Sequence, residues 1–355
     1  AIAATKALQQ WYNSTTGLWE TTGWWNSANC LTILADLTAV DPSAISKVNQ
    51  DVFQNTFNNA QSNTTHVALN STTPAANTTT SNDLCVRANC TFTDPIMEPK
   101  GFLNGLYDDE GWWALAWIKV WDLTKQSAYL DAATFIFEDM LSTGYNATCG
   151  GIWWDRTREH NVAIANELFL SVAAHLANRK PNAAYYRNIA ISQWQWFKNS
   201  GLINANMTIN DGINIKTCES SPDTIWSYNQ GVILGALVEL NRLDPSGDYI
   251  STATRIATAA INTLSVPDGV LHDPHEPNLG VDGPQFKGVF MRNLQVLYSV
   301  TNDEAFKQFI EANAKSIWLK NRDEGRDLFG PVWSGPYRAD GASAQSAALD
   351  GLVAA

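Results

Sequence analysis

The chain is short of charge. Only 16% of its 355 residues are Asp, Glu, Lys or Arg, and 23 basic residues face 35 acidic ones, a formal net charge of −12. No basic cluster occurs, which excludes the phosphate-neutralising surface that nucleic acid or an anionic membrane requires. A neutral polymer is compatible with that charge. Long apolar runs are also missing: no stretch reaches the roughly 18 uninterrupted apolar residues of a membrane span. The opening Ala1-Ile2-Ala3-Ala4-Thr5-Lys6 has neither a charged n-region nor an apolar core, so any leader is expected to have been removed already. The last helical stretch carries no hydrophobic anchor tail. Only five histidines and five cysteines occur, and the cysteine spacings match no zinc site. No metal and no cofactor is called for. A Gly-rich phosphate loop and a Ser nucleophile elbow are absent as well.

Tryptophan, by contrast, is abundant at 15 residues. Apolar residues recur at helical spacing and strand-like alternation is scarce. The pattern predicts helices over 1–13, 25–40, 43–60, 109–123, 126–143, 160–178, 182–199, 226–243, 247–264, 283–301, 303–319 and 341–354. This is an all-α chain, and twelve helices taken as six hairpins close into an (α/α)6 barrel. Helices apolar nearly all round, such as 226–239, form the inner ring, and amphipathic ones, such as 303–319, the outer. Alternate loops then gather at one end, where aromatic loops make a concave site.

The stretch 61–100 breaks the period. It is rich in Thr, Asn, Ser and Ala, too poor in large apolar residues for a core, and reads as a glycosylated surface loop on one domain spanning 1–355. Asn-x-Ser/Thr sequons begin at Asn13, Asn63, Asn70, Asn77, Asn89, Asn146 and Asn206. Their number points to a secreted glycoprotein. The cysteines agree with an oxidising compartment. Four of them allow three pairings; we pair Cys85 with Cys90 and Cys149 with Cys218, and leave Cys30 as a buried free thiol in an apolar helix.

The chemistry centres on Gly105-Leu106-Tyr107-Asp108-Asp109-Glu110-Gly111-Trp112-Trp113. Acidic residues at a helix N-terminus complement the macrodipole, the commonest reason for their being there. Two neighbouring carboxyls are also the minimum equipment for cleaving a glycosidic bond, and tryptophan faces suit the C–H faces of sugars. Adjacent residues at a helix start splay by about 100° around the axis. That allows a carboxyl separation near the roughly 5–5.5 Å of retaining enzymes rather than the roughly 6.5–9.5 Å of inverting ones. Residue chemistry alone does not say which Asp is nucleophile and which acid/base.

With these motifs, and with Trp19-Glu20-Thr21-Thr22-Gly23-Trp24-Trp25-Asn26, Gly150-Gly151-Ile152-Trp153-Trp154, Tyr228-Asn229-Gln230-Gly231 and Phe286-Lys287-Gly288, the chain resembles glycoside hydrolase family 76 over most of its length. The family holds endo-α-1,6-mannanases and fungal cell-wall transglycosidases acting on glycosylphosphatidylinositol-linked proteins. The resemblance implies an (α/α)6 barrel, retaining cleavage of α-1,6-mannan, Asp108 as nucleophile and Asp109 as acid/base. The segment before Trp25 is more similar to the secreted mannanases, which favours hydrolysis by a secreted monomer. Trp24, Trp25, Trp112, Trp153, Trp154 and Trp333 are candidate sugar platforms, and Asn26, Tyr228, Asn229, Gln230 and Lys287 candidate partners of mannose hydroxyls. Each aromatic has the alternative of a core anchor, and each polar group that of capping a helix or satisfying buried backbone. Asp155 and Asp223 fit helix caps better than sugar acceptors. His272 and His275, flanking Pro274, read as a loop rather than a metal cluster. A carbohydrate-binding protein on an inactive scaffold is the competing class, against which the intact Asp pair argues.

Overall fold

Twelve α-helices occupy the described residues, with strands of only two or three residues between them. The computed structural model of the chain describes residues 1–61, 101–222, 224–265 and 267–355, with side chains at all of these except 43–50. Most of the predicted 61–100 loop, the Cys85–Cys90 pairing, the sequons at Asn63, Asn70, Asn77 and Asn89, and Asp223 lie outside these residues. The helices are α1 (Ile2–Leu8), α2 (Trp24–Val40), α3 (Pro42–Asn59), α4 (Tyr107–Thr124), α5 (Ser127–Gly144), α6 (Ala163–Ala177), α7 (Ala183–Asn199), α8 (Ser227–Leu243), α9 (Tyr249–Leu264), α10 (Phe286–Thr301), α11 (Glu304–Lys320) and α12 (Ala342–Ala354).

Even-numbered helices pack in sequence, α2 on α4, α4 on α6, α6 on α8, α8 on α10 and α10 on α12, and α12 returns to α2. That closes an inner ring. The odd-numbered helices from α3 to α11 lie outside it, each against the even one before it. The ring is stitched by a rule the sequence did not display: α1 packs not on α2 but on α12, so the sixth pair joins the two ends of the chain. The expected helix over 1–13 stops at Leu8. The next residues tighten into a single 3₁₀ turn, and Tyr12–Asn13 pairs with Leu18–Trp19.

Composition sorts the rings. In α6 every residue but His175 is buried, as an inner helix requires. In α11 burial follows one stripe, Phe306, Phe309, Ile310, Asn313, Ala314 and Ile317, the i, i+3, i+4 period of an outer helix. Asp303 caps it, accepting from Ala305 N at 2.9 Å. Inner helices approach closely where side chains are missing. A Cβ on Gly231 of α8 would lie 2.6 Å from Phe290 Cα of α10, and one on Gly288 would lie 2.5 Å from Ala347 Cα of α12.

The N-terminal ends of the inner helices meet at one end of the ring. Trp25 of α2 stacks on Trp112 of α4, Tyr228 of α8 on Phe286 of α10, and Ser346 of α12 bonds Gln285 just before α10. The opposite end is held by ion pairs, Lys119–Asp36 at 2.7 Å, Arg179–Asp122 at 2.8 Å and Arg179–Glu239 at 3.1 Å. Cys149 and Cys218 form the expected disulfide, and Cys30 is a buried free thiol pushed up to about 12 by burial.

Candidate active site

One short turn assembles the carboxyls. Gly105 takes a left-handed φ of +91° just ahead of α4, which glycine alone adopts freely. Asn104 Oδ1 accepts from Leu106 N at 3.0 Å, and Asn104 Nδ2 donates to Asp109 Oδ2 at 2.6 Å. Glu110 reaches back, accepting at Oε1 from Asn104 N at 3.0 Å and Gly105 N at 2.8 Å. The third acidic residue of the motif is therefore the clasp of the turn. It is fully buried, and burial, reinforced by Asp139, pushes its carboxyl up to about 8.

Asp108 and Asp109 differ in partners. Asp108 Oδ2 accepts from the Trp154 indole N–H at 2.9 Å, while its Oδ1 is buried without a hydrogen-bond partner. Burial pushes Asp108 up to about 6, against the pull of the Trp154 donor and of backbone N–H groups. Asp109, 9% exposed, is pushed well above the usual carboxylate range, first by burial and then by the charge of Asp108; only Asn104 draws it back strongly. Burial raises both carboxyls, and the two differ in their donors, the Trp154 indole for Asp108 and the Asn104 amide for Asp109.

Around them lies an aromatic cleft. Trp25, half-buried, stacks on Trp112 with ring centres 5.7 Å apart and donates its N–H to Asp282 Oδ1 at 2.8 Å. Phe286 lies against Trp25, Trp226 and Tyr228. The Tyr228 hydroxyl is pushed far up by burial and by the charges of Asp211, Asp108, Glu167 and Asp282. Asp211 Oδ1 accepts from Asn229 Nδ2 at 2.8 Å. Asp211, Asp282, Trp226 and Phe286 escaped the sequence reading. Phe286 opens the quoted Phe286-Lys287-Gly288 motif without being singled out in it; nothing local marks the two aspartates, which lie in loops far from Asp108 in the chain.

Of the predicted residues, Asp108, Asp109, Trp25, Trp112, Trp154, Tyr228 and Asn229 come together. The others stand behind the wall. Gln230 is buried and spent on backbone, accepting from Ile209 N and donating to Ile209 O and Trp226 O. Asn26 is buried as the reciprocal cap of α2, accepting from Gly23 N. Lys287 is buried, ion-paired with Glu276 and bonded to Pro331 O at 2.6 Å, beneath the fully buried Trp333. Trp153 is 8% exposed and packs in the core, and Trp24 turns its N–H to Ala60 O. Neither is a platform. Asp155 closes its own turn onto Thr157. The 271–276 segment staples helix starts: Asp273 caps α8 through Ser227, and Glu276 ties His272 to Lys287. Among the sequons, Asn206 is exposed and Asn13 half-buried, but Asn146 is buried, its Oδ1 holding Thr148 N and Cys149 N, so its amide offers no glycan site in this fold. A cavity of about 360 Å³ opens at the opposite end of the ring, lined by Asp36, Lys119, Arg179 and Glu239. Its charges already pair with one another, so it does not compete with the cleft as the reactive centre.

No curated protein sequence matches the chain. The structure is similar to the Lin0763 protein of Listeria innocua, at 22% identity and a TM-score of 0.79 over 99% of this chain and 94% of that one. It is similar to an α-1,6-mannanase of Salegentibacter sp. HEL1_6 in complex with α-1,6-mannotriose, at 19% identity and a TM-score of 0.78 over 99% and 97%. That protein is an inactive variant with two consecutive aspartates replaced by asparagine. It is also similar to Dfg5 of Chaetomium thermophilum in complex with glucosamine, at 16% identity and a TM-score of 0.76 over 99% and 88%. At these identities the likenesses establish the fold. The sequence profile described as glycosyl hydrolase family 76 matches residues 2–355, and the chain belongs to that family.

Proposed function

We propose that the chain is a secreted, monomeric endo-α-1,6-mannanase that works as one catalytic domain with retention of configuration. Asp108 is the nucleophile and Asp109 the acid/base. The observation that carries the reading is the unequal treatment of the pair. Asp108 accepts the Trp154 indole N–H on one oxygen, while Asp109, bonded to the Asn104 amide, is pushed well above the usual carboxylate range by burial and by the charge of Asp108, which suits an acid that gives up a proton. A protonated Asp109 gives its proton to the departing O6 as Asp108 attacks the anomeric carbon. Asp109, then ionised, takes a proton from the incoming water, which displaces Asp108 and restores the starting state. The inactive aspartate-pair variant of the Salegentibacter mannanase supports the assignment by likeness. The disulfide and the exposed sequon at Asn206 support export.

The test is linear α-1,6-mannan with wild type and Asp108→Asn, following product length and the first-formed anomer by proton NMR. Short α-anomeric oligosaccharides from wild type alone are expected. A β-anomeric first product would overturn retention. A second reading, transfer to a glycan acceptor, is favoured by the likeness to fungal Dfg5. It is identified in the same assay by elongated products when an acceptor is added and by little release without one.

A further inference from the structure

The segment linking α5 to α6 crosses the start of α4 and delivers Trp154 to Asp108. Its backbone is tied at both ends: Trp153 N donates to Gly144 O at 2.8 Å, Tyr107 N to Trp154 O at 2.8 Å, and Trp154 N to His160 O at 2.8 Å. The middle of the strap is held by the Cys149–Cys218 disulfide, by Trp196 Nε1 donating to Cys149 O at 2.9 Å and, at Ile152, by one buried side chain. Asn166, in the first turn of α6, is fully buried. Its Oδ1 accepts from Ile152 N at 2.8 Å and from Gln193 Nε2 of α7 at 3.0 Å. Its Nδ2 lies 2.9 Å from both Asn161 Oδ1 and Val162 O, and 3.1 Å from Ile152 O.

A lone buried asparagine in a helix satisfies itself on the carbonyl four residues back. Asn166 does that at Val162 and then grips both the N–H and the C=O of Ile152, two residues before Trp154. Asn161 extends the grip, donating to Gly150 O at 3.0 Å. The neighbouring residue is fitted to this contact: Gly151 has φ +70°, and a Cβ there would fall 2.3 Å from Asn166 Oδ1. The Gly150-Gly151-Ile152-Trp153-Trp154 motif therefore needs its second glycine so that the strap can sit on Asn166.

We infer that Asn166 is a positioning residue, which through Ile152 fixes the strap so that the Trp154 indole N–H stays on Asp108. The inference rests on the reading of Asp108 as the catalytic carboxylate. Losing the donor makes Asp108 harder to ionise, because a hydrogen bond to the charged form favours that form. The charged and titratable groups round Asp108 are Asp109 and Glu110 on its own helix, Glu167 on α6, Tyr228 on α8 and Asp211 and Asp282 on the adjoining loops. His160 of the strap packs on Trp154. None is altered by the substitutions below.

The test is the acid limb of kcat/KM against pH for wild type, Trp154→Phe, Asn166→Ala and the double variant on linear α-1,6-mannan. Trp154→Phe is expected to move the limb up by about one pH unit, hence about tenfold less activity at low pH. Asn166→Ala is expected to move it in the same direction, and the double variant no further than Trp154→Phe alone. A limb left in place by Asn166→Ala, or an additive shift in the double variant, overturns the inference. Carbon-13 titration of the Asp108 carboxyl in the same four proteins reads the same shift without activity. A chain inert on mannan would thus sink the proposed function while the titration still decides the role of Asn166. If Asn166→Ala does not fold, Asn166→Ser, which keeps a small polar side chain but is too short to hold both Ile152 groups, takes its place with the same two outcomes.

Discussion

Glu110→Gln tests whether the clasp of the catalytic turn carries a cost. Glu110 accepts two backbone N–H groups through one oxygen, while its other oxygen is buried without a partner. A glutamine carbonyl can accept the same pair. The nearest cation, Arg156, stands 3.9 Å away and bonds Asp139 more closely, at 2.6 Å, so it does not offset burial. The carboxyl is raised from 4.5 to about 8. A raised carboxyl contributes its stability below the unfolded value of 4.5, and loses it as pH rises through the folded value of about 8. The gap corresponds to about 5 kcal/mol when ionisation is complete. Between about pH 5.5 and pH 8 the wild type should lose about 3 kcal/mol that the glutamine variant keeps. For a chain of this length that is about 4 °C in Tm. Denaturant unfolding of both proteins at the two pH values measures the difference of differences, so a constant cost of the substitution cancels. An equal effect at both pH values, or a larger benefit at the lower one, would refute the claim that Glu110 is a strained neutral acid.

Three further outcomes follow from particular contacts. Activity should fall as pH drops through about 6, where Asp108 takes a proton, and should fall again at a higher pH as Asp109 loses its own; a single-limbed profile in wild type would contradict the division of roles. Lys287→Met removes the partner of the buried Glu276 and should cost about 3–5 kcal/mol in denaturant unfolding. The fraction that folds should keep its KM for mannan, whereas a KM raised tenfold would put Lys287 in the cleft after all. Gly231→Ala forces a Cβ to within 2.6 Å of Phe290 Cα and should cost about 1–3 kcal/mol by parting α8 from α10, read as a lower denaturation midpoint.

The helices were legible because their period is written locally. From Trp24 onward the observed limits fall within a few residues of those predicted from apolar spacing. The first helix overran because Asn13 has a better local use. Its side chain accepts from Thr15 N and Thr16 N and turns the chain before another helical turn forms. The pairing of α1 with α12 is a long-range fact that no local pattern encodes. The same boundary runs through the site. Asp108, Trp25 and Tyr228 were legible because aromatic and acidic residues at the starts of inner helices share one end of the ring, and Trp154 because its aromatic loop motif precedes such a helix. Lys287, Gln230 and Asn26 sit in the same motifs but turn away from the cleft. Which way a residue at a helix start points depends on what packs behind it, Glu276 and Pro331 for Lys287 and the 209 backbone for Gln230.

Three carboxyls in one helical turn raise the question of what tolerates them. The inner helices run parallel, so their N-terminal ends present partial positive charge to the cleft from every side. For a group in the first turn this is worth about 0.3–1 kcal/mol, or about 2 in a partly buried setting. Burial opposes it. Asp108, Asp109 and Glu110 are all raised despite lying where the helix favours their ionised forms, so desolvation exceeds the dipole at each of them. What then separates the two aspartates is not the helix, which acts on both, but single donors: an indole N–H on Asp108 and an amide on Asp109, with the charge of Asp108 falling on Asp109. Raised carboxyls lose stability as pH climbs from their unfolded values through their folded ones, so this turn costs the fold stability toward neutral pH. Replacing Asp109 by Asn removes the charge conflict, and should stabilise the chain at neutral pH while removing the proposed acid/base. A variant that is both less active and no more stable would show that the pair is not under the electrostatic tension argued for it.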